Sequence, residues 1–439
     1  MRMGLGIAGA FIIGVLAGLA PAQVGAAEPE AVARSFSEAL VKSDGAAARA
    51  MGTSQMSEAM NDASIGQLLG AVTAQTGAIK SVGAAWHDDN VGVYRRYRVP
   101  VVGELTTIDF QVVLDADARV AGLGLLPHAP EPAAAAGPRE IEVSVGPADS
   151  ALPGTLSLPD GDGPFPAVVL VHGSGPSDRD ENIMGNRPFR DIAHGLAARG
   201  VAVLRYDKRS YANLPSLTAH GAALTVQHET IDDAVVAVAL LRNRAEIDPA
   251  RVFVLGHSLG GMVGPRLATE AKADGVIIMA GAARPLPEIM VEQTEYLVAL
   301  DDTVTAEEAA HLAQLKAAVA ALRGPEPAVG DPLGVPSGYF ADLEAHDGPT
   351  EAAALDIPIL VLQGGRDYQV TKVDFARWQA ALEGRPQACL KLYENLDHLM
   401  RAGEGRATPE DYATPRPVAP VVIDDIAGFV LGGCRSPSN

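Results

Sequence analysis

Gly256-His257-Ser258-Leu259-Gly260 sets a hydroxyl between two glycines at a point where the chain changes character. Before it, Val252-Phe253-Val254-Leu255 is a short apolar run suited to a strand buried on both faces. After it, Gly261-Met262-Val263-Gly264-Pro265-Arg266-Leu267-Ala268 supplies the small and apolar residues that start a helix against a sheet. A serine on so sharp a strand-to-helix turn must present its oxygen outward, and flanking glycines remove the side chains that would crowd it. The chemistry such a serine serves is nucleophilic attack on an acyl carbon. In a chain with 46 glycines the bare G-x-S-x-G pattern arises readily by accident, so the strand before it and the helix after it are what single it out.

A serine hydroxyl is a weak nucleophile that needs a base, and the base needs an acid to orient it. On a doubly wound sheet both partners are expected past the ends of later strands, the acid before the base. Ile359-Leu360-Val361-Leu362-Gln363 runs into Gly364-Gly365-Arg366-Asp367, and Leu390-Lys391-Leu392-Tyr393 runs into Glu394-Asn395-Leu396-Asp397-His398. These positions predict Ser258 as nucleophile, Asp367 as orienting acid and His398 as base. Asp397 is a rival acid, but a sequence neighbour reaches the far ring nitrogen with difficulty, so Asp367 is preferred. Val171-His172-Gly173-Ser174-Gly175-Pro176 follows another apolar run, where a second oxyanion donor is expected. The backbone amides of Ser174 and Leu259 are the expected pair. The scheme calls for no cofactor and no metal. Asp178, Arg179, Asp180, Asp207, Lys208 and Arg209 fall on the same loops, where mutual ion pairing that shapes the loops is favoured over substrate contact.

The elements that must position these groups follow from patterning. At 439 residues two domains are the first expectation, and 48% hydrophobic with 20% charged residues is a globular composition. Residues 28–127 carry helical spacing over Ala31–Val41 and Ser54–Val72. Period-2 alternation follows over Ile79–Trp86, Val91–Val101, Leu105–Leu114 and Val120–Leu126, which describes a small α+β domain. Residues 128–138 form a Pro/Ala linker. From Arg139 to about 435 strands alternate with helices, predicting an α/β fold: a doubly wound, mostly parallel sheet. Between the strands near Gly275–Ala280 and Ile357–Gln363, residues of about 284–354 form an inserted helical cap too long for an ordinary connection. Its Tyr296, Leu297, Leu312, Leu315, Tyr339 and Phe340 suit either an acyl pocket or helix packing.

Arg2, the apolar Leu5–Leu19 and the small residues through Ala27 read as an export signal over 1–27, cleaved after Ala22 or Ala27. The expected location is therefore the periplasm or the extracellular space, with no membrane span once the signal is removed. A net charge of −20 argues against nucleic acid as a partner. Two cysteines, Cys389 and Cys434, lack zinc-site spacing. Cys389 opens a strand and Cys434 follows a helix returning antiparallel to it, so export permits a disulfide between them at the sheet end opposite the catalytic loops.

His172-Gly173-Ser174-Gly175-Pro176-Ser177-Asp178-Arg179-Asp180, Leu204-Arg205-Tyr206-Asp207-Lys208-Arg209, Gly256-His257-Ser258-Leu259-Gly260-Gly261 and Gln363-Gly364-Gly365-Arg366-Asp367-Tyr368-Gln369-Val370 resemble the α/β-hydrolase superfamily. Within it they are similar to bacterial exported serine esterases that carry a small N-terminal domain of undefined function. The resemblance implies carboxylic-ester hydrolysis with Ser258 as nucleophile, His398 as base and Asp367 as its orienter, and a serine esterase acting on small, short-acyl esters is the leading reading. A serine peptidase or amidase on the same scaffold is the first alternative, and an envelope binding protein with vestigial catalysis the second.

Overall fold

The computed structural model describes residues 29–91, 94–128, 137–301, 303–322, 331 and 333–434. The expected signal segment, most of the expected Pro/Ala linker and residues 323–330 of the insertion lie outside these. The chain divides into two compact units, one ending at Ala136 and one running on from Gly137.

In the N-terminal unit four helices, Pro29–Val41, Gly45–Ala50, Ser54–Ala59 and Asp62–Thr76, precede five antiparallel strands. Three of the helices start where sequence puts a short polar side chain: Asp44, Thr53 and Asn61 each accept a backbone N–H from the first turn. The strands are β1 (Ile79–Val82), β2 (Trp86–Val91), β3 (Tyr94–Gly103), β4 (Thr107–Leu114) and β5 (Val120–Pro127). Alternation buries Tyr97, Val99 and Val101 of β3 with Ile108, Phe110, Val112 and Leu114 of β4, against Phe36 and Leu40 of the first helix. The strand expected over Ile79–Trp86 stops at Val82, and a separate strand, β2, starts only at Trp86; β1 and β2 pair with successive stretches of β3. The break faces Pro100, which has no N–H to donate, and Gly83 there donates to the Pro100 carbonyl at 2.7 Å.

The second unit holds eight strands, β6 (Arg139–Val145), β7 (Leu152–Leu158), β8 (Phe165–Val171), β9 (Ala202–Tyr206), β10 (Ile247–His257), β11 (Val276–Met279), β12 (Ile359–Gly364) and β13 (Ala388–Tyr393). Their order is β13-β12-β11-β10-β8-β9-β7-β6. From β9 to β13 every neighbouring pair is parallel, and β7 runs antiparallel to both β6 and β9. Strands β8, β9, β11 and β12 are almost wholly apolar because both sheet faces are covered. Val169, Val254, Ile278 and Val361 pack on one face with Trp378. Val168, Leu255, Ile277 and Leu360 pack on the other against helices Pro188–Ala197 and Pro420–Gly432. The chain passes from β8 to β9 in one direction and then to β10 on the other side of β8. Loops leaving β8 and β10 therefore diverge at a switch point, the place where open parallel sheets bind ligands.

The insertion between β11 and β12 has two parts. Helices Leu286–Val298 and Ala306–Leu322 pair with each other, and the second is mostly exposed. Helices Ser337–Glu344 and Gly348–Ala354 return to the main body, where Tyr339, Leu343 and Ala352 belong to the core beneath the sheet. Cys389 and Cys434 form a disulfide with a Cα–Cα separation of 5.6 Å. Among the described residues no helix is long and apolar enough to cross a membrane.

Candidate active site

Ser258 follows β10 directly at φ 54°, ψ −112°, and helix Leu259–Met262 begins with the next residue. That left-handed conformation is costly for a residue with a Cβ and persists only where the surroundings enforce it. A Cβ at Gly256 would lie 2.0 Å from the Gly260 carbonyl oxygen, and one at Gly260 would lie 2.4 Å from that of Val171. Glycine is thus required at both, and the hydroxyl between them is turned out at the carboxyl end of the sheet. Leu259 is the first helical residue, so its N–H has no acceptor within its own helix.

The loop after β8 lies against this turn: a Cβ on Gly173 would sit 3.1 Å from the Ser258 Cβ. The exposed Ser174 follows it. Asp367 stands past β12, fully enclosed, with Oδ1 accepting the backbone N–H groups of Gln369 (2.8 Å) and Val370 (3.0 Å). Its Oδ2 accepts from Gln363 Nε2 at 3.2 Å and from His398 Nδ1 at 2.7 Å. A carboxylate has no hydrogen to give, so Nδ1 carries the proton and Nε2 is the basic nitrogen of the neutral ring. His398 is 4% exposed, on the loop past β13. Its carbonyl lies 3.0 Å from Nε2 of His257, the residue before Ser258, and the two imidazoles stand 4.7 Å apart between centroids. Asp367 and His398 are therefore joined directly, while Ser258 is joined to the His398 loop through His257. A hydrogen bond from Ser258 Oγ to the imidazole is not among the contacts of the described residues. Catalytic hydrogen bonds of this type often tighten only with substrate present.

A family model described as the alpha/beta hydrolase family matches residues 168–423, more than half of the chain and all of the loops just described. The chain belongs to the alpha/beta hydrolase family. It is 45% identical over 281 residues to Esterase EstD of Thermotoga maritima. The match covers 64% of this chain and 65% of that protein, so the chain spans just under two-thirds of the relative's length. Among solved structures it overlaps Est1E from Butyrivibrio proteoclasticus at 14% identity and TM-score 0.42, over 66% of this chain and 97% of that one. It also overlaps a putative dipeptidyl aminopeptidase IV from Bacteroides ovatus at 14% identity and TM-score 0.48, over 80% and 44% of the respective chains. Overlaps this loose add nothing to the fold that strand order already defines.

In this member of the alpha/beta hydrolase family the rival acid is committed elsewhere. Asp397 Oδ2 accepts Arg401 Nε (3.0 Å) and Nη2 (2.7 Å), and Oδ1 accepts the amides of Leu399 and Arg401, both at 3.0 Å. Arg401 is fully buried over the Tyr412 ring, so Asp397 balances a buried cation and is not available to the imidazole. The charged loop residues pair mainly with one another or with the frame. Arg179 Nε meets Asp207 at 3.0 Å and its Nη1 meets Glu142 at 2.7 Å; Arg209 meets Asp233. Asp178 Oδ1 accepts the amides of Asp180 (3.1 Å) and Asn182 (3.0 Å). Of the cap residues, Tyr339 and Phe340 are buried, and Tyr296 stacks on Tyr368 at 4.9 Å, next to Asp367. Among the described residues no three metal-ligating side chains converge.

Sequence reasoning missed Glu181. It is buried at φ 53°, accepts the Gly173 N–H on Oε1 at 2.9 Å, and places Oε2 2.9 Å from His257 Nδ1. Burial alone would raise its pKa, yet His257 and the Gly173 amide hold it below the usual range. Burial likewise disfavours protonated His257, and Glu181 outweighs this to raise its pKa. One buried ion pair thus ties together the β8 loop, the turn at Ser258 and, through His257 Nε2, the His398 loop. The only trace in sequence is an acidic residue closing the Asp178-Arg179-Asp180 run.

Proposed function

We propose that this hydrolase cleaves small, short-acyl carboxylic esters with Ser258 as nucleophile, His398 as base and then acid, and Asp367 orienting the ring. The reading rests above all on the 2.7 Å hydrogen bond between Asp367 Oδ2 and His398 Nδ1, which leaves Nε2 basic on the loop beside the nucleophile turn. His398 Nε2 takes the Ser258 proton as Oγ attacks the ester carbonyl. The carbonyl electron pair moves onto oxygen, which the amides of Ser174 and Leu259 hold. Collapse of the adduct expels the alcohol, which leaves with the proton from His398. Water, deprotonated by the same nitrogen, then attacks the acyl-enzyme and releases the acid and the free serine.

One further observation supports an ester substrate. The 45%-identical relative is named an esterase. Export to the periplasm or beyond, with cleavage after Ala22 or Ala27, is supported by the charged-then-apolar N-terminus and by a disulfide, which persists in oxidising compartments. The small α+β unit ahead of the hydrolase unit fits the group of exported esterases that the motifs resemble.

The test compares p-nitrophenyl butyrate with aminoacyl nitroanilides on the purified protein and on Ser258→Ala. Ester turnover well above amide turnover, falling on the order of 10⁵-fold or more in the variant, is expected. Amide turnover exceeding ester turnover would replace the esterase reading with the peptidase one.

A further inference from the structure

A peptide unit is planar and trans, so its C=O and N–H point in opposite directions. The Gly173–Ser174 unit therefore has two useful orientations: Ser174 N–H toward the nucleophile, or Gly173 C=O toward it. The first stabilises a developing oxyanion and the second repels it. Glycine at 173, and Gly175 at φ 82°, leave the backbone free to adopt either. Something outside the loop must choose. Lys208, buried at 2% exposure, donates from Nζ to the carbonyl of Gly173 at 2.8 Å and to that of Gly175 at 3.2 Å. Holding the Gly173 carbonyl fixes the Ser174 N–H on the opposite side.

A buried lysine is costly without a partner. Its partner is Glu229, with Oε1 at 3.1 Å from Nζ. Tyr339, on helix Ser337–Glu344 of the insertion, donates its hydroxyl to Glu229 Oε2 at 2.5 Å. Glu229 sits in a single π-helical turn, Gln227–Ile231, preceding helix Asp232–Arg242. Such turns carry one residue more than an α-helix and recur where a side chain must be re-aimed. Burial would raise the Glu229 pKa, but Lys208 and the Tyr339 hydroxyl outweigh it and keep the carboxylate low.

We infer that Lys208 is a positioning residue for the oxyanion hole, and that Glu229 and Tyr339 connect its hold on the Gly173 carbonyl to the seating of the inserted helix. This rests on the assignment of the Ser174 amide as an oxyanion donor. It makes the insertion part of the transition-state machinery: any movement that withdraws Tyr339 loosens Glu229, then Lys208, then the peptide that faces the oxyanion.

The test uses the full chain with p-nitrophenyl butyrate, and a trifluoromethyl ketone whose serine adduct needs the oxyanion hole. Lys208→Met is expected to lower kcat on the order of 10²-fold with KM little changed, the size of losing one oxyanion donor. Tyr339→Phe, which deletes only a hydroxyl, is expected to lower kcat roughly three- to tenfold with the same KM pattern. In both variants the ketone should weaken in step with kcat/KM. Should Lys208→Met not fold, Tyr339→Phe carries the test alone. A kcat within about twofold of the parent, or a rise confined to KM, overturns the inference. Ser258→Ala run alongside separates the two claims: retained turnover there removes the site assignment itself, whereas a dead Ser258→Ala beside normal Lys208→Met and Tyr339→Phe removes only the positioning role.

Discussion

Asp367 Oδ2 and His398 Nδ1 stand 2.7 Å apart, while Asp397, one residue from the same histidine, spends its carboxylate on the buried Arg401. Two aspartates at one corner of the sheet thus have separate duties. The partnership is decided by which strand end each residue leaves, not by distance along the chain.

That separation predicts opposite phenotypes. Asp367→Asn should cut kcat on the order of 10⁴-fold, because an amide at that position favours the wrong ring tautomer. Asp397→Asn should instead weaken the fold by roughly 3–5 kcal/mol, since it strips a buried guanidinium of its counter-charge. Urea unfolding and ester turnover on both variants check this. Equal losses of activity with unchanged stability in both would mean the duties are shared.

His172 yields a pH prediction. Its Nε2 donates to the Asp178 carbonyl at 2.9 Å, and burial, helped by Lys208, lowers its pKa to about 4 against the opposing pull of Glu181 and Asp207. The unfolded chain, with an ordinary histidine near pH 6.5, binds more protons than the folded one throughout the interval between. Stability therefore falls as pH drops from about 6.5 to 4, by about 3 kcal/mol in all from this group. His172→Gln keeps a donor to the carbonyl and removes the titration. Between pH 7 and 4 the parent should lose about that much more stability than the variant in denaturant unfolding. Parallel pH profiles would contradict the assignment.

The disulfide closes a loop with a sequence separation of 45 residues at the end of the sheet away from the loops that carry Ser258, Asp367 and His398. Replacing both cysteines, Cys389→Ser with Cys434→Ser, should cost about 3–4 kcal/mol on the loop-entropy scale. kcat should be unaffected, since β13 stays paired with β12 through its own ladder. Calorimetry and turnover measured on one preparation separate the two effects.

Much of the site was legible because backbone geometry wrote it locally. Gly256 and Gly260 meet carbonyl oxygens wherever a Cβ would go, so the turn demands the very pattern that singled out Ser258. Asp367 follows a continuous apolar run that a buried strand produces, whereas His398 follows a half-buried edge strand interrupted by Lys391. What was not legible depends on contacts between loops. Glu181 with His257, and Lys208 with Glu229, pair across separate strand ends, and nothing in sequence spacing joins them. The helix Ser337–Glu344 was hidden because it begins beside Pro336 in a Gly/Pro-rich stretch, where packing of Tyr339 and Leu343 overrides weak local preference. The break between β1 and β2 reflects Pro100 on the neighbouring strand, a cause outside the segment it interrupts.

The central claim is that the Ser258 oxygen is the attacking atom. Treating the protein with a fluorophosphonate and measuring intact mass, followed by peptide mapping, tests it most directly. One adduct per chain, on the peptide holding Ser258 and absent from Ser258→Ala, is the expected result. An adduct on the Ser258→Ala variant, or a stoichiometric adduct mapped to a different serine, would contradict it.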